Sequence, residues 1–263
     1  MLQPREIQIV QLRSLLKLSI LLLMFVACLS AEQQQLAKPT GEISAKQILD
    51  KNLLALGGPE VFHAAKTLEA SGEFGYPGMH PSGYFHFFYK APFNDVLELA
   101  FMSSGQSAAG RRNGRPFVKM SPNAIFSQDG VTTTAMEGAW YCWFESDSEG
   151  RREGIELVGL TDLQKKWAYA LRFVPTPATS HVNYYDNETF LLVRTEMAQR
   201  FRSEENGPDK AYRVDVEFKD YRVTENLLFP WLLSANAGRS SIEFRVTKVR
   251  INVLVDDSKF AGM

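Results

Sequence analysis

Cysteine is scarce in this sequence, and that scarcity restricts how the fold can be stabilised. The 263 residues include two cysteines, Cys28 and Cys142. Cys28 ends an apolar N-terminal run, and its lipidation or removal would leave Cys142 without a partner for a disulfide within the chain. The fold must then depend on its apolar core, for which a hydrophobic content of 45% is ordinary.

An excess of charge of one sign is also missing. From Cys28 onwards the chain has 26 basic and 29 acidic residues, a net charge of −3. The short basic cluster GRRNGR, Gly110–Arg115, is interpreted as a solvated loop, part of a glycine-rich segment that begins at Gly105. Because no basic stripe is present, the chain lacks the electrostatic footprint of nucleic-acid binding, and we expect no nucleic-acid partner.

Sequence signatures of catalysis are absent. The chain contains no G-x-S-x-G elbow, no P-loop, no dinucleotide fingerprint and no H-E-x-x-H motif. Its four histidines are scattered, whereas metal ligands must converge. Cys142 lies among aromatic residues, where a free cysteine behaves as a small apolar side chain. We therefore expect a protein that is not an enzyme and that needs no metal and no cofactor.

The longest apolar run near the N-terminus predicts export. Arg13 and Lys17 precede the run Leu18–Cys28, whose eleven residues are too few for a membrane span of roughly 20 residues. They fit the apolar region of a signal peptide, which is about 7–15 residues long. We predict a signal peptide over residues 1–27, a polar flexible tether over 28–42 and one domain over 43–263, located in the periplasm.

The end of this run, FVAC, resembles the lipobox of bacterial lipoproteins, although Phe25 stands where leucine is usual. The resemblance implies that Cys28 is the site of lipid attachment and that the chain is anchored to a membrane by its lipid. Leu29 after the cysteine, by resemblance to enterobacterial lipoproteins, favours the outer membrane. The alternative is ordinary cleavage after Ser30 or Ala31, which would leave a soluble periplasmic protein.

Helical signals dominate the start of the predicted domain. Ser44 and Gln47 form a capping box before an amphipathic run that Gly57 or Gly58 ends, and Pro59 begins a short second helix. A third helix is predicted between Thr161 and Leu171, where a second capping box precedes apolar residues that share a face. Elsewhere, short strands and turns alternate about every ten residues, which is typical of antiparallel sheet.

Three predicted strands are apolar on both sides: YFHFFYK (Tyr84–Lys90), WYCWF (Trp140–Phe144) and FPWLL (Phe229–Leu233). A strand with one wet face should alternate apolar and polar residues, so these strands need cover on both faces. The helices supply one cover, and either a second sheet or an apolar ligand cavity supplies the other. The candidates for lining such a cavity are Phe85, Phe87, Trp140, Trp143 and Trp231.

Four segments resemble bacterial outer-membrane lipoprotein-sorting-like proteins of the LolA/LolB type. YYDNETFLLVRTE (Tyr184–Glu196) resembles their YFDxETGLLVR hairpin, with Phe190 in place of the glycine. VEFKDYRVTENLLFP (Val216–Pro230) resembles a later turn, and FRVTKVRINVLVDDSKF (Phe244–Phe260) resembles the closing segment. Ile48–Phe74 matches their opening, whereas Gly105–Glu137 is poorly matched.

The resemblance implies an α+β fold: a strongly curved antiparallel β-sheet, or half-open β-barrel, with a few helices packed in or over its concave face. It also implies a non-enzymatic carrier or receptor whose apolar concave side holds lipid or acyl chains. We therefore expect binding of lipoprotein acyl chains or another lipid, a role in lipoprotein sorting, and other envelope lipoproteins as partners. The alternative is a structural or sensing lipoprotein that binds another envelope protein, and a dry, packed interior would favour it.

Overall fold

The structure, a computed structural model, describes residues 43–92, 94–102, 105–120, 140, 143, 154–174, 181–202, 209–237 and 240–260. All of them belong to one structural unit, Lys38–Met263. The predicted signal peptide and the whole of the predicted tether, including Cys28, lie outside the described residues, as does Cys142. The expectations for these segments therefore stay predictions.

Two helices precede the sheet, as predicted. Helix α1 spans Ala45–Ala55 and helix α2 spans Pro59–Ala64. The capping box of α1 is confirmed, because Gln47 N donates to Ser44 Oγ (3.2 Å) and Ser44 N donates to Gln47 Oε1 (2.8 Å). Two backbone N–H groups that the helix cannot satisfy internally thereby acquire acceptors.

In the described residues, twelve strands follow the helices, and a short 3₁₀ helix, Asp257–Phe260, comes last. The strands are β1 (Thr67–Gly75), β2 (Gly83–Lys90), β3 (Asn94–Phe101), β4 (Gly105–Arg112), β5 (Arg115–Met120), β6 (Ile155–Leu163), β7 (Lys166–Phe173), β8 (His181–Asp186), β9 (Leu192–Arg202), β10 (Asp209–Thr224), β11 (Leu227–Ala237) and β12 (Ser240–Ile251).

All twelve strands form one antiparallel sheet in the order β5-β4-β3-β2-β1-β12-β11-β10-β9-β8-β7-β6. Among the described strands, the first and last, β1 and β12, pair inside the sheet, whereas β5 and β6 form its two edges. The predicted α+β class with an antiparallel sheet is confirmed, and its strong curvature stays a prediction.

The predicted third helix, Thr161–Leu171, is wrong, because this segment forms the β6–β7 hairpin. Gln164 and Lys165 occupy its turn with φ values of +56° and +73°, which suit the twist of a two-residue hairpin turn. Pairing with β8 stabilises the extended backbone of β7. The helical spacing of apolar residues carries no information about hydrogen bonds between strands. The pairing of the strands therefore determines the structure of this segment in place of its local sequence pattern.

The predicted solvated loop at Gly110–Arg115, in the segment that begins at Gly105, is also wrong, because Gly105–Arg112 forms β4 and Arg115 begins β5, and the two strands pair. Asn113 and Gly114 form the turn between β4 and β5, with φ values of +51° and +75°. Asn-Gly between two strands is a strong hairpin signal, and this one was obscured by the neighbouring arginines.

Two of the strands predicted to be apolar on both sides, YFHFFYK and WYCWF, differ from each other in the structure. In β2, Phe85 and Phe87 are buried while Tyr84 and His86 are exposed, so β2 alternates except at Phe88. Phe88 packs in a separate small cluster with Val96, Val255 and Phe260.

The predicted WYCWF strand is wrong where it is described, because Trp140 and Trp143 are helical.

The backbones of β1 and β12 approach each other closely at Gly72, so a substitution there tests the pairing of these strands. A Cβ on Gly72 would lie 2.0 Å from the carbonyl oxygen of Arg245 and 2.8 Å from the ring of Phe85. We expect Gly72→Ala to lower the free energy of unfolding by about 3 kcal/mol, because two paired strands must separate to admit the methyl group. Urea denaturation measures the difference.

The matched control is Gly78→Ala, in the turn between β1 and β2. A Cβ on Gly78 would meet no atom within 4 Å, and its φ of +74° is the source of strain. We expect a loss of about 1 kcal/mol for this variant. Equal losses in the two variants would contradict the close pairing at Gly72.

Candidate functional site

One face of the sheet packs against α1 and α2, and we call it the covered face. The main apolar cluster of the described chain lies between this face and the helices. On the helices it includes Ile48, Leu49, Leu53, Leu56 and Phe62, and on the sheet it includes Leu68, Phe85, Phe87, Leu97, Leu99, Leu171, Val216, Phe229, Leu233 and Phe244. The helices therefore keep the apolar side of the sheet from water.

Helix α1 is fixed to two turns at one end of the sheet. Leu228 N, just after the β10–β11 turn, donates to the carbonyl oxygen of Leu56 at 2.9 Å. Asn52 Nδ2 donates to the carbonyl oxygen of Phe190, in the β8–β9 turn, at 2.8 Å. A Cβ on Gly57 would lie 2.4 Å from the carbonyl oxygen of Asn226, so the end of the helix needs glycine to approach this turn. These contacts involve three of the four segments that carry the family resemblance.

The β8–β9 turn forms although Phe190 replaces the glycine that the resemblance leads one to expect. Asp186 Oδ1 accepts hydrogen bonds from the backbone N–H groups of Glu188 and Thr189. Phe190 adopts φ of +59°, a conformation that glycine usually occupies. Its ring stacks on Tyr169 at 5.9 Å and lies beneath Lys51 Nζ at 4.4 Å, contacts that offset the backbone strain.

Six rings on the covered face form what we call the aromatic cluster: Phe62, Phe85, Phe87, Trp140, Trp143 and Phe229. Trp140 stacks on Phe87 at 4.9 Å and on Phe229 at 5.2 Å between ring centroids. Trp143 meets Phe229 edge to face at 5.1 Å and lies 5.5 Å from Phe62 of α2. The cluster thus joins a helix, two strands and the helical residues Trp140 and Trp143.

Four of the five predicted lining residues meet in the aromatic cluster: Phe85, Phe87, Trp140 and Trp143. All four are at most 1% exposed. Trp231 is outside the cluster, partly buried at the edge of the core with the Arg222 guanidinium 4.8 Å above its ring. Phe229 was not among the predicted lining residues, although it lies in the same FPWLL segment and occupies the centre of the stacking.

The rings of the aromatic cluster are at contact distance from one another. This part of the interior is therefore filled by the chain's own side chains. A small pocket among the described residues lies elsewhere, between the β1–β2 turn and β12, and is lined by Glu73, Phe74, Gly75, Tyr76, Met79, Pro81, Glu243 and Arg245. None of the five predicted lining residues contributes to that pocket.

Tyr221 connects the aromatic cluster to polar groups. Its hydroxyl donates to the carbonyl oxygen of Leu192 at 2.6 Å. Burial raises the pKa of Tyr221 well above its usual value, nearby Tyr185 acts in the same direction, and a hydrogen bond with Trp143 acts in the opposite direction. Tyr221 therefore stays protonated and acts as a hydrogen-bond donor beneath the rings.

The opposite face of the sheet is largely ionic. Arg194 Nη2 lies 2.6 Å from Asp215 Oδ2 and 3.0 Å from Glu196 Oε1, and further cross-strand pairs include Arg172 with Glu156. Such partly exposed pairs contribute little to stability individually, but they favour contact with water. The C-terminal segment covers one region of this face, where Phe260 is buried against Phe88.

Neither a metal site nor a membrane-spanning helix is found in the part of the chain that the structure describes. No three histidine, cysteine, aspartate or glutamate side chains there converge closely enough to bind a metal ion. Within the same residues, no helix combines the length and the apolar character needed to cross a bilayer.

The packing of Trp140 generates a test. Trp140 is fully buried and Trp167 is 44% exposed. We expect Trp140→Ala to lower the free energy of unfolding by about 3–5 kcal/mol, because it leaves a cavity among stacked rings. Trp167→Ala, the matched control, should cost less than about 1 kcal/mol. Urea denaturation compares the variants, and a Trp140→Ala variant as stable as the control would contradict the observed stacking.

Comparison with known proteins identifies the fold. No protein-family model matches the chain, and no curated protein matches it. A LolA superfamily protein from Nitrosomonas europaea is structurally similar with a TM-score of 0.50 at 10% identity, over 84% of this chain and 98% of the other. A DUF1329 family protein from Desulfovibrio piger has a TM-score of 0.44 at 10% identity, over 86% and 98% of the two chains. A putative outer membrane lipoprotein-sorting protein domain from Vibrio parahaemolyticus has a TM-score of 0.42 at 10% identity, over 82% and 95%. The chain therefore has a LolA-like fold.

Proposed function

We propose that this protein binds a lipophilic group, either lipoprotein acyl chains or another envelope lipid, against the aromatic cluster on the covered face. The observation that carries the proposal is the cluster itself. Four of its six rings come from residues predicted from the sequence to line a ligand cavity, and helical residues and strands contribute to it together.

The protein is exported to the periplasm and is anchored to the outer membrane by lipid on Cys28.

The fold supports a binding role. Lipoprotein carriers and lipid-binding lipoproteins share the LolA-like fold, and LolA-like families are generally non-enzymatic. Fold alone does not determine the ligand, so the proposal rests on the chemistry of the covered face. Its residues are apolar and aromatic, and they suit an acyl chain better than a charged or sugar-like ligand.

Energetics favour long chains. Because the rings of the cluster contact one another, an acyl chain must replace the contacts of Trp140 and Trp143. Removing a buried tryptophan side chain lowers the stability of the protein by about 3–5 kcal/mol, and burying each methylene of the ligand contributes about 0.8 kcal/mol of favourable free energy. Replacing both indoles therefore requires roughly 8–12 buried methylenes. Chains of about sixteen carbons exceed this requirement and chains of about eight do not.

A packed interior gives the alternative function a specific basis. The protein would then be a structural or sensing lipoprotein that binds another envelope protein and carries no lipid. The contacts among Phe87, Trp140 and Phe229 favour this alternative, because side chains of the protein occupy the space that a ligand would need. Acyl-chain binding by purified protein distinguishes the two functions.

Quenching of tryptophan fluorescence by brominated fatty acids tests the proposal. We expect a sixteen-carbon brominated chain to bind the delipidated protein and quench its emission, whereas an eight-carbon chain does neither at the same concentration. Most of the quenching should disappear in the double variant Trp140→Phe, Trp143→Phe, because bromine quenches only nearby indoles. Trp167→Phe, which changes an exposed indole, should leave it intact.

Direct binding of a radiolabelled chain accompanies the fluorescence. If neither chain length binds, lipid binding is wrong and the alternative function is favoured. If the long chain binds and the double variant is still quenched as strongly, the ligand lies elsewhere than the aromatic cluster.

Membrane anchoring has its own test. We expect protein purified from its own membranes to carry a diacylglycerol mass on Cys28, and a Cys28→Ser variant to move from the membrane fraction to the soluble periplasmic fraction. Cys142→Ser is the matched control and should stay with the membrane. Mass spectrometry of the mature N-terminus decides the question, and a free N-terminus at Ala31 or Glu32 would show ordinary cleavage instead.

A further inference from the structure

A row of polar side chains interrupts the covered face at β8 and β9. Asn183 and Thr195 are directly paired across the two strands, between Leu171 of β7 and Val216 of β10 in the same row. Asn183 and Thr195 are both completely buried. Because side chains two residues apart on a strand share a face, His181 and Tyr185 extend the polar row along β8 on either side of Asn183. Both are also buried.

Asn183 has an unused hydrogen-bonding group. Its Nδ2 donates to the hydroxyl of Tyr185 at a long 3.5 Å, and its Oδ1 has no hydrogen-bond partner. Buried polar groups are almost always hydrogen-bonded, because a group without a partner loses its bonds to water and gains nothing. An asparagine placed in the middle of an apolar face with a free acceptor indicates that a further group binds there.

The polar row adjoins the aromatic cluster. Leu192 pairs with Tyr185 across β8 and β9, and the hydroxyl of Tyr221 donates to the carbonyl oxygen of Leu192. Tyr221 also packs against the main apolar cluster, which includes Trp143. A ligand that lies on the aromatic rings can therefore reach Asn183 with its end.

We propose that Asn183, with Thr195 and Tyr185, binds the head group of the lipophilic ligand, and that this head group is neutral and carries both a hydrogen-bond donor and an acceptor. The Oδ1 atom of Asn183 requires a donor, and the hydroxyls of Thr195 and Tyr185 can donate to an acceptor. A secondary amide or a protonated acid meets this requirement, and an ester does not because it has no donor. The inference rests on the proposed function.

Paired ligands that differ in a single donor test the inference. N-methylpalmitamide has one N–H donor, and methyl palmitate has the same chain length and a carbonyl acceptor but no donor. We expect wild-type protein to bind the amide at least about tenfold more tightly than the ester, as measured by titration against a displaceable fluorescent acyl probe. Palmitic acid and hexadecanol in the same assay distinguish acid and alcohol head groups from the amide.

Variants locate the preference. Asn183→Leu should bind amide and ester equally, because the acceptor that distinguishes the two head groups is lost. Thr195→Val, which keeps the side-chain shape, should reduce the preference for the amide. This second variant tests the site even if Asn183→Leu fails to fold. Asn236→Leu is the matched control. Asn236 pairs with Asp215 on the ionic face of the sheet, and this variant should keep the full preference.

The outcomes separate this inference from the proposed function. If wild-type protein binds both ligands equally, the head-group site is wrong while acyl-chain binding stands. If Asn183→Leu and Thr195→Val both keep the amide preference, the head group binds elsewhere and the inference is also wrong. If wild-type protein binds neither ligand, both the inference and the proposed function are wrong.

Discussion

The burial of the apolar covered face beneath α1 is the contact on which the rest of the structure depends. A sheet with one apolar face cannot leave that face in water, and α1 reaches it only because its end is fixed to two turns. The bond from Leu228 N to the Leu56 carbonyl and the bond from Asn52 to the Phe190 carbonyl position the helix. Gly57 permits the close approach at Asn226 that these bonds require. The residues that resemble the LolA/LolB type are thus largely those that seat a helix on a sheet.

The same burial connects structure to the proposed function. A covered face filled by aromatic rings can exchange one apolar partner for another without exposing the sheet to water. In the proposed function, an acyl chain would compete with the indoles of Trp140 and Trp143, and the length of the chain would decide the result. Polar groups beneath the rings, led by Asn183, would add a directional preference to an otherwise non-directional apolar contact.

Local signals predicted the elements whose stabilising contacts are close in sequence. The capping box at Ser44 and Gln47 and Pro59 at the start of α2 both depend on neighbours within a few residues. Two other local patterns gave wrong predictions. Thr161–Leu171 has a helical pattern but pairs as two strands, and Trp140 and Trp143 have a strand-like composition but are helical. Four predicted lining residues nevertheless meet, because bulky aromatic side chains in an apolar segment are buried in either secondary structure.

The sequence by itself determined the antiparallel class of the sheet, the first two helices and the aromatic character of the interior, since periodicity, capping and composition act locally. Only the tertiary structure decided which rings contact one another, why Phe229 is central and Trp231 peripheral, and that Asn183 is buried with a free acceptor. These features depend on strand order and register. Rings that contact one another in the aromatic cluster, such as Trp140 and Phe229, lie far apart in the chain, and no local pattern records which of them become neighbours.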